Sequence, residues 1–244
     1  MMNFNLPGKF GRTISKHFTN SIDAFETRRF NAVKEFKNTA EVFLTFDDGP
    51  DPAYTARISE MLSLNGHKAT FFMVGKNVAK NPQIVHEVLS AGHAIGSHSF
   101  EHRKQWETNT CELMEDYRKG HDQLQAVVGV KVDLFRPPYG YNDRRSVKFC
   151  RKNNLQLILW SVESFDWQEK ATALSVSEAV ISETRPGAIV LMHDSIFDNP
   201  KANNRERSVS AVSTILEHFD CINWKSVAVP SVTTNYGDKQ EYRQ

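Results

Sequence analysis

At 244 residues, 40% hydrophobic and 24% charged, the chain is long enough to bury a full core, and one α/β barrel is the simplest way to use that length. Thirty basic against twenty-nine acidic residues leave a formal charge of +1, which gives no electrostatic footprint for nucleic acid or another polyanion. Three widely spaced cysteines, Cys111, Cys150 and Cys221, suggest neither a disulfide framework nor a C-x-x-C zinc knuckle.

In residues 1–40, Phe18, Ile22, Phe25, Ala32, Val33 and Phe36 recur near the helical period, which predicts an N-terminal helical extension packed on the outside of the main domain. Seven basic residues against three acidic ones also suit contact with an anionic membrane surface, although the charge is scattered. This segment has no run resembling the roughly 7–15 apolar residues of a signal peptide. No later stretch approaches the roughly 18 of a membrane span. Taken as it stands, the chain is expected to be cytoplasmic.

The main domain, 41–244, alternates strand-like and helix-like segments. Apolar runs at 42–47, 69–74, 93–97, 132–136, 155–161, 187–193 and 223–229 predict strands. Helical patterns lie between them near 54–65, 81–91, 109–128, 144–153, 175–184 and 206–219, with stops at Asn65-Gly66 and Ala91-Gly92. Repeated βα units without a G-x-G-x-x-G turn after the first strand favour an incomplete (β/α) barrel over a dinucleotide-binding sheet. Chemistry in such a fold belongs at the ends of the strands.

Two motifs stand at such ends. Thr45 to Pro50 reads TFDDGP, where Gly49-Pro50 breaks the strand and lets Asp47 and Asp48 serve one site. Ser97 to His102 reads SHSFEH, placing His98 and His102 four residues apart, a spacing that on a helical turn stacks two rings over one ion. Alone, the first motif reads as a solvated Asx turn and each histidine as an ordinary hydrogen-bonded residue. Together, two imidazoles and one carboxylate make a three-ligand metal set with room for water and substrate, and the second carboxylate is free to act as a base. Such donors favour zinc, and they also accept cobalt, nickel or iron. The same donor set occurs in iron oxygenases, which the βα alternation and the spare carboxylate speak against. His17, His67, His86, His93, His121 and His218 lack comparable settings.

Three further motifs follow in order: FRPPYG at 135–140, FDW at 165–167 and IVLMHD at 189–194. With TFDDGP and SHSFEH they resemble the polysaccharide deacetylases of carbohydrate esterase family 4, the NodB-homology group, over roughly residues 41–229. The resemblance implies a distorted (β/α)7 barrel and metal-dependent removal of N-acetyl groups from N-acetylglucosamine-type units of an oligo- or polysaccharide. It also implies roles. Asp48, His98 and His102 would hold the metal, Asp47 would be the general base, paired with Arg136, and His193 the general acid, oriented by Asp166. The Tyr139 N–H would donate to the oxyanion, while Trp167 and Leu191 would wall the acetyl methyl group. The aromatic residues Tyr139, Tyr141, Trp106 and Phe165 offer faces to sugar rings.

Two departures stand out: Glu163, where many members have Asp, and a long polar stretch at 195–204 that could form a lid or subsite wall. Other readings of the same site are hydrolysis of a different amide, such as an N-formyl sugar or cyclic imide, and a non-catalytic glycan-binding module. A module of that kind is expected to have lost a base, ligand or acid, whereas all are present. The expected partner is an N-acetylated glycan; the sequence carries no reading of oligomeric state.

Overall fold

The computed structural model describes residues 32–198 and 204–231. Seven parallel strands form one sheet: β1 (Phe43–Asp47), β2 (Ala69–Met73), β3 (Ala94–Ser97), β4 (Leu134–Phe135), β5 (Gln156–Leu157), β6 (Val162–Glu163) and β7 (Ile189–His193). Their order across the sheet is β5-β4-β3-β2-β1-β7-β6. The connections include seven helices: α1 (Thr55–Leu64), α2 (Gly75–Lys80), α3 (Pro82–Ser90), α4 (Thr110–Val128), α5 (Arg144–Asn153), α6 (Ala173–Glu183) and α7 (Glu206–Cys221). The distorted (β/α)7 barrel is therefore present.

Local chemistry accounts for several helix boundaries. Asn109 caps α4 by accepting from the Glu112 N–H, and Asp143–Ser146 and Thr172–Ser175 form capping boxes on α5 and α6. α1 stops where expected, at Asn65-Gly66, because Gly66 takes φ +69° without a Cβ penalty.

The period-2 alternation of the strands sorts side chains into two layers. Leu44, Phe46, Phe71, Met73, Val190 and Met192 pack outward in the main apolar cluster. Phe43, Phe72, Leu134 and Ile189 belong to a separate cluster, closed by Ile158 and Val229. On β1 the residues alternating with Leu44 and Phe46 are Phe43, Thr45 and Asp47, so this inner layer runs from an apolar floor to a polar rim.

Four sequence expectations need correction. The run 223–229 is not a strand. It makes a single parallel bridge, Ser226 to Val42, because β1 already has β2 and β7 as neighbours, and it crosses beneath the sheet instead. There the Ser226 hydroxyl accepts from Leu44 N at 3.1 Å, and Val229 N donates to Thr70 Oγ1 at 2.9 Å. The seventh strand is β6. The run 155–161 breaks after Leu157, since β5 and β6 lie at opposite ends of the sheet and residues 158–161 span the opening between them. α2 lies in the interval between the expected strand 69–74 and the expected helix 81–91, where the sequence predicts no element.

Finally, residues 32–36 are bridged and not helical. Val33 pairs with Ile158 and Glu35 with Ala188, which inserts this stretch into the seam beside residues 158–161. Val33 N donates to Leu157 O and Val33 O accepts from Leu159 N, while the Phe36 ring packs at a tilt on Phe43 with centroids 4.5 Å apart. The rest of the N-terminal helical reading, residues 1–31, lies outside the described residues. So do residues 199–203 of the polar stretch. Among the described residues, no helix is long and apolar enough to cross a membrane.

Candidate active site

Asp47 is the last residue of β1 and sits in register with His193, the last residue of β7. The chain then turns at Asp48 itself, with φ +79°, and this lets consecutive carboxylates face one site. The turn is braced from below. Asp194 Oδ1 accepts from Gly49 N at 3.1 Å and its other oxygen from the Thr55 hydroxyl. Burial pushes the Asp194 carboxyl up to about 7, against the hydrogen bond from Thr55. A Cβ on Gly49 would fall 2.2 Å from that carboxylate, so the approach requires glycine.

His98 and His102 are not on a helical turn. Ser99 and His102 adopt φ +65° and +51°, and the loop is held from outside its own sequence. At the start of α2, Gly75 N and Lys76 N donate to Ser99 O and Phe100 O at 2.9 and 3.1 Å. From α4, Asp116 Oδ1 accepts from Glu101 N at 2.9 Å, and Gly120 lies so close that a Cβ there would be 2.2 Å from the Ser99 carbonyl.

The result is a buried triplet of Asp48, His98 and His102, whose ligand atoms lie within 4.8 Å of one another. Asp48 Oδ1 is 3.3 Å from His102 Nε2 and 3.7 Å from His98 Nε2. His98 donates Nδ1–H to Arg136 O at 2.7 Å, which leaves Nε2 unprotonated for a ligand. Burial, and after it His102, hold the His98 ring down near 3, in the neutral form a metal requires. Asp48 Oδ1 is buried and, among the described residues, has no hydrogen-bond partner. An orphaned carboxylate oxygen facing two ring nitrogens fits a divalent cation, and the imidazole–carboxylate donor set suits zinc.

Two polar pairs flank the triplet. Arg136, fully buried, donates Nη1–H to Asp47 Oδ1 at 2.7 Å and to Thr45 Oγ1 at 2.8 Å. Its remaining donors reach Leu159 O at 3.0 Å and Ile158 O at 3.4 Å, and its guanidinium lies 4.1 Å above the Phe72 ring. Burial raises Asp47 above the usual carboxylate range, and Arg136 restrains that rise.

His193 donates Nδ1–H to Asp166 Oδ1 at 2.7 Å, while Asp166 Oδ2 accepts from His193 N at 2.9 Å and Ser208 Oγ at 2.8 Å. Arg205, fully buried, donates to the Asp166 carbonyl at 3.1 Å. Burial opposes charge on His193, but Asp166, and beyond it Asp48 and Asp47, carry the ring up to about 9. Asp166 itself stays low: burial would raise it, and His193, Arg205 and Ser208 together outweigh burial.

Tyr139 has φ +58° in the turn Pro138–Gly140, and among the described residues its N–H donates to no acceptor. Leu191 is buried, whereas Trp167 is half exposed and donates Nε1–H to Glu163 Oε1 at 3.0 Å, a contact that the longer carboxylate at 163 makes. Trp106, Tyr139 and Tyr141 form a partly exposed ring cluster, with centroids 5.1 and 5.8 Å from Trp106, and Tyr139 also packs on His102 at 4.6 Å.

The structure thus brings Asp47, Asp48, His98, His102, Arg136, Tyr139, Asp166 and His193 together through direct contacts, whereas Leu191 lies midway along β7 and Trp167 contacts Glu163. It adds Thr45 and Asp194, which stand inside the TFDDGP and IVLMHD motifs without an expected role, and Thr55, Asp198, Arg205 and Ser208, single polar residues without a spacing signal, of which Asp198 alone fell within a stretch singled out for its polarity.

Comparison with known proteins agrees with this geometry. Residues 34–158 match the family described as polysaccharide deacetylase. A peptidoglycan-N-acetylglucosamine deacetylase of Bacillus cereus is 32% identical over 80% of this chain and 69% of its own. A chitooligosaccharide deacetylase of Azorhizobium caulinodans is 31% identical over 67% of this chain and 78% of its own. The crystal structure of a peptidoglycan N-acetylglucosamine deacetylase bound to 4-naphthalen-1-yl-N-oxidanyl-benzamide superposes with a TM-score of 0.75 at 31% identity, covering 82% of this chain and 90% of that one. Fold, ordered motifs and relatives converge: the chain belongs to the polysaccharide deacetylase family.

Proposed function

We propose that the protein is a metal-dependent hydrolase that removes the N-acetyl group from N-acetylglucosamine-type units of an oligo- or polysaccharide. The observation that carries the reading is the unpartnered Asp48 Oδ1, buried opposite two Nε2 atoms and flanked by an Arg-paired aspartate and an Asp-paired histidine. Asp48, His98 and His102 would hold the cation, which when bound polarises an amide carbonyl and acidifies a water.

The chain's own groups divide the proton work. Asp47 takes the proton of the attacking water; Arg136 keeps its carboxylate ionised and aimed through the 2.7 Å contact. His193 carries a proton for the amine leaving group, which is poor unless protonated, and Asp166 keeps that proton on Nε2 by engaging Nδ1. The Tyr139 N–H, positioned by a left-handed backbone, donates to the developing oxyanion. Leu191 and Trp167 wall a small space for the acetyl methyl group. The rings of Trp106 and Tyr141 offer apolar faces to a sugar beside it.

The relatives' names support an N-acetylglucosamine unit, in peptidoglycan or in a chito-oligosaccharide. The test is acetate release from N-acetyl chito-oligomers and from peptidoglycan fragments, with and without chelator. Release that chelator abolishes and zinc restores is expected. No release from either glycan with any added divalent metal would overturn the reading, and release of formate from N-formyl analogues alone would move it to a different amide.

A further inference from the structure

We propose that Asp198, on the segment after β7, is a positioning residue for His102 and thereby sets how tightly the site holds its cation. This rests on the metal-hydrolase reading above and extends it to a residue outside the family-like motifs.

Each member of the triplet offers one atom to the centre and keeps another behind it. His98 keeps Nδ1, which donates to Arg136 O at 2.7 Å. Asp48 keeps Oδ2, which accepts from Phe197 N at 3.2 Å. His102 keeps Nδ1, which is buried and makes no aligned hydrogen bond; the group facing it is Asp198 Oδ2, at 3.3 Å. The Tyr139 hydroxyl donates to that same oxygen in a short contact, so the carboxylate is itself held. Two of the three ligands are thus backed by consecutive residues, Phe197 and Asp198.

Asp198 is not a fourth ligand. The two nitrogens of an imidazole point away from each other, so a carboxylate at Nδ1 cannot share an ion bound at Nε2. A carboxylate behind a ligating histidine fixes the tautomer and the ring plane and raises the basicity of the ligating nitrogen. His102 needs this more than His98 does, because among the described residues no backbone carbonyl accepts from its Nδ1 as Arg136 O does from His98. Its ring is also flanked by Tyr139 and Phe197, with centroids 4.6 and 6.0 Å away, leaving Nδ1 cut off from water unless Asp198 answers it. The side chain of Asp198 is 46% exposed, so the contact is not a by-product of core packing.

The experiment is a chelator competition that measures zinc affinity of the full chain after metal stripping, for the parent, Asp198→Ala, Asp198→Asn and Tyr139→Phe. Asp198→Ala is expected to weaken zinc binding by about 10–100-fold. Asp198→Asn, which keeps a neutral acceptor, and Tyr139→Phe, which keeps the ring and the backbone N–H, should fall between Ala and parent. His98→Ala sets the baseline for a lost ligand. Parent-like affinity in Asp198→Ala with a bound parent overturns the role of Asp198 and leaves the hydrolase reading standing. A parent that binds no divalent metal overturns both. Should Asp198→Ala fail to fold, Asp198→Asn decides: an affinity within about twofold of the parent sinks the proposal.

Discussion

Replacing Asp166 by Asn removes the charge behind His193 while keeping the shape of the side chain. In the folded protein burial works against the imidazolium, yet Asp166, at 2.7 Å, with Asp48 and Asp47 beyond it, lifts the ring from 6.5 to about 9. At about 1.4 kcal/mol per pH unit, the fold favours the protonated ring by roughly 3 kcal/mol. Because the folded value is raised, that contribution is complete below pH 6.5 and is lost as pH climbs from there through 9. Without the Asp166 charge, burial dominates and the ring is expected to titrate at or below its ordinary value. At pH 7.5 a ring that is about 97% protonated would then be about 10% protonated or less, an approximately tenfold loss of the competent acid before any loss of orientation. The assays are proton NMR titration of His193 in metal-free protein and the pH dependence of kcat/KM for acetate release. A bound cation lowers the kinetic limb, so parent and variant are compared in the same metal state. An alkaline limb and an NMR titration both unmoved in Asp166→Asn would refute the reasoning.

Other perturbations separate the remaining parts. Asp47→Asn should keep zinc and lose most turnover, about 100-fold or more for a missing base, whereas His98→Ala should lose zinc as well; chelator competition on both proteins checks the division. Arg136→Met leaves Asp47 buried beside an apolar chain and should cost about 3–5 kcal/mol of stability in urea unfolding, with turnover falling in parallel. Gly120→Ala discriminates sharply between local and tertiary effects. Helix propensity alone favours Ala by about 1 kcal/mol. The Cβ would meet the Ser99 backbone at 2.2 Å, so a net loss of about 1–3 kcal/mol and weaker zinc binding are expected in unfolding and competition assays.

How much of this was legible in the sequence depended on the range of the signal. β1, β2 and β7 are apolar runs buried on both faces, and such runs announce themselves whatever surrounds them. The run 223–229, with Trp224, Val227, Ala228 and Val229, also reads as strand-like and became a floor beneath the barrel, because no place beside β1 remained. Periodicity cannot report that vacancy. β6 is two residues long and α2 six, too short for a pattern, and both are defined by what they pair with or support. In the site, the motifs showed the groups that face the reaction, since several unusual residues stand together in each. The SHSFEH spacing implied a helical turn for a local reason, and the true loop owes its shape to Gly75, Lys76 and Asp116, donors and an acceptor from other elements.

Arg136 shows why site and fold are not separable here. The sheet opens between β5 and β6, and the backbone that crosses the opening is held by the Val33–Ile158 bridge and by side-chain donors to its carbonyls. Arg136 supplies donors to Ile158 O and Leu159 O and, from the same guanidinium, to Thr45 Oγ1 and Asp47. A guanidinium has five donors in a fixed plane, so reaching the seam with one part of it fixes where the rest must point. The base is thereby aimed by the closure of the barrel. An Arg136→Lys variant keeps the charge yet has a single ammonium for acceptors on several sides. It is expected to retain folding near neutral pH while losing both some stability and the alignment of Asp47. If urea unfolding and kcat of Arg136→Lys both matched the parent, charge alone would be sufficient and the planar bridge between seam and base would not be needed.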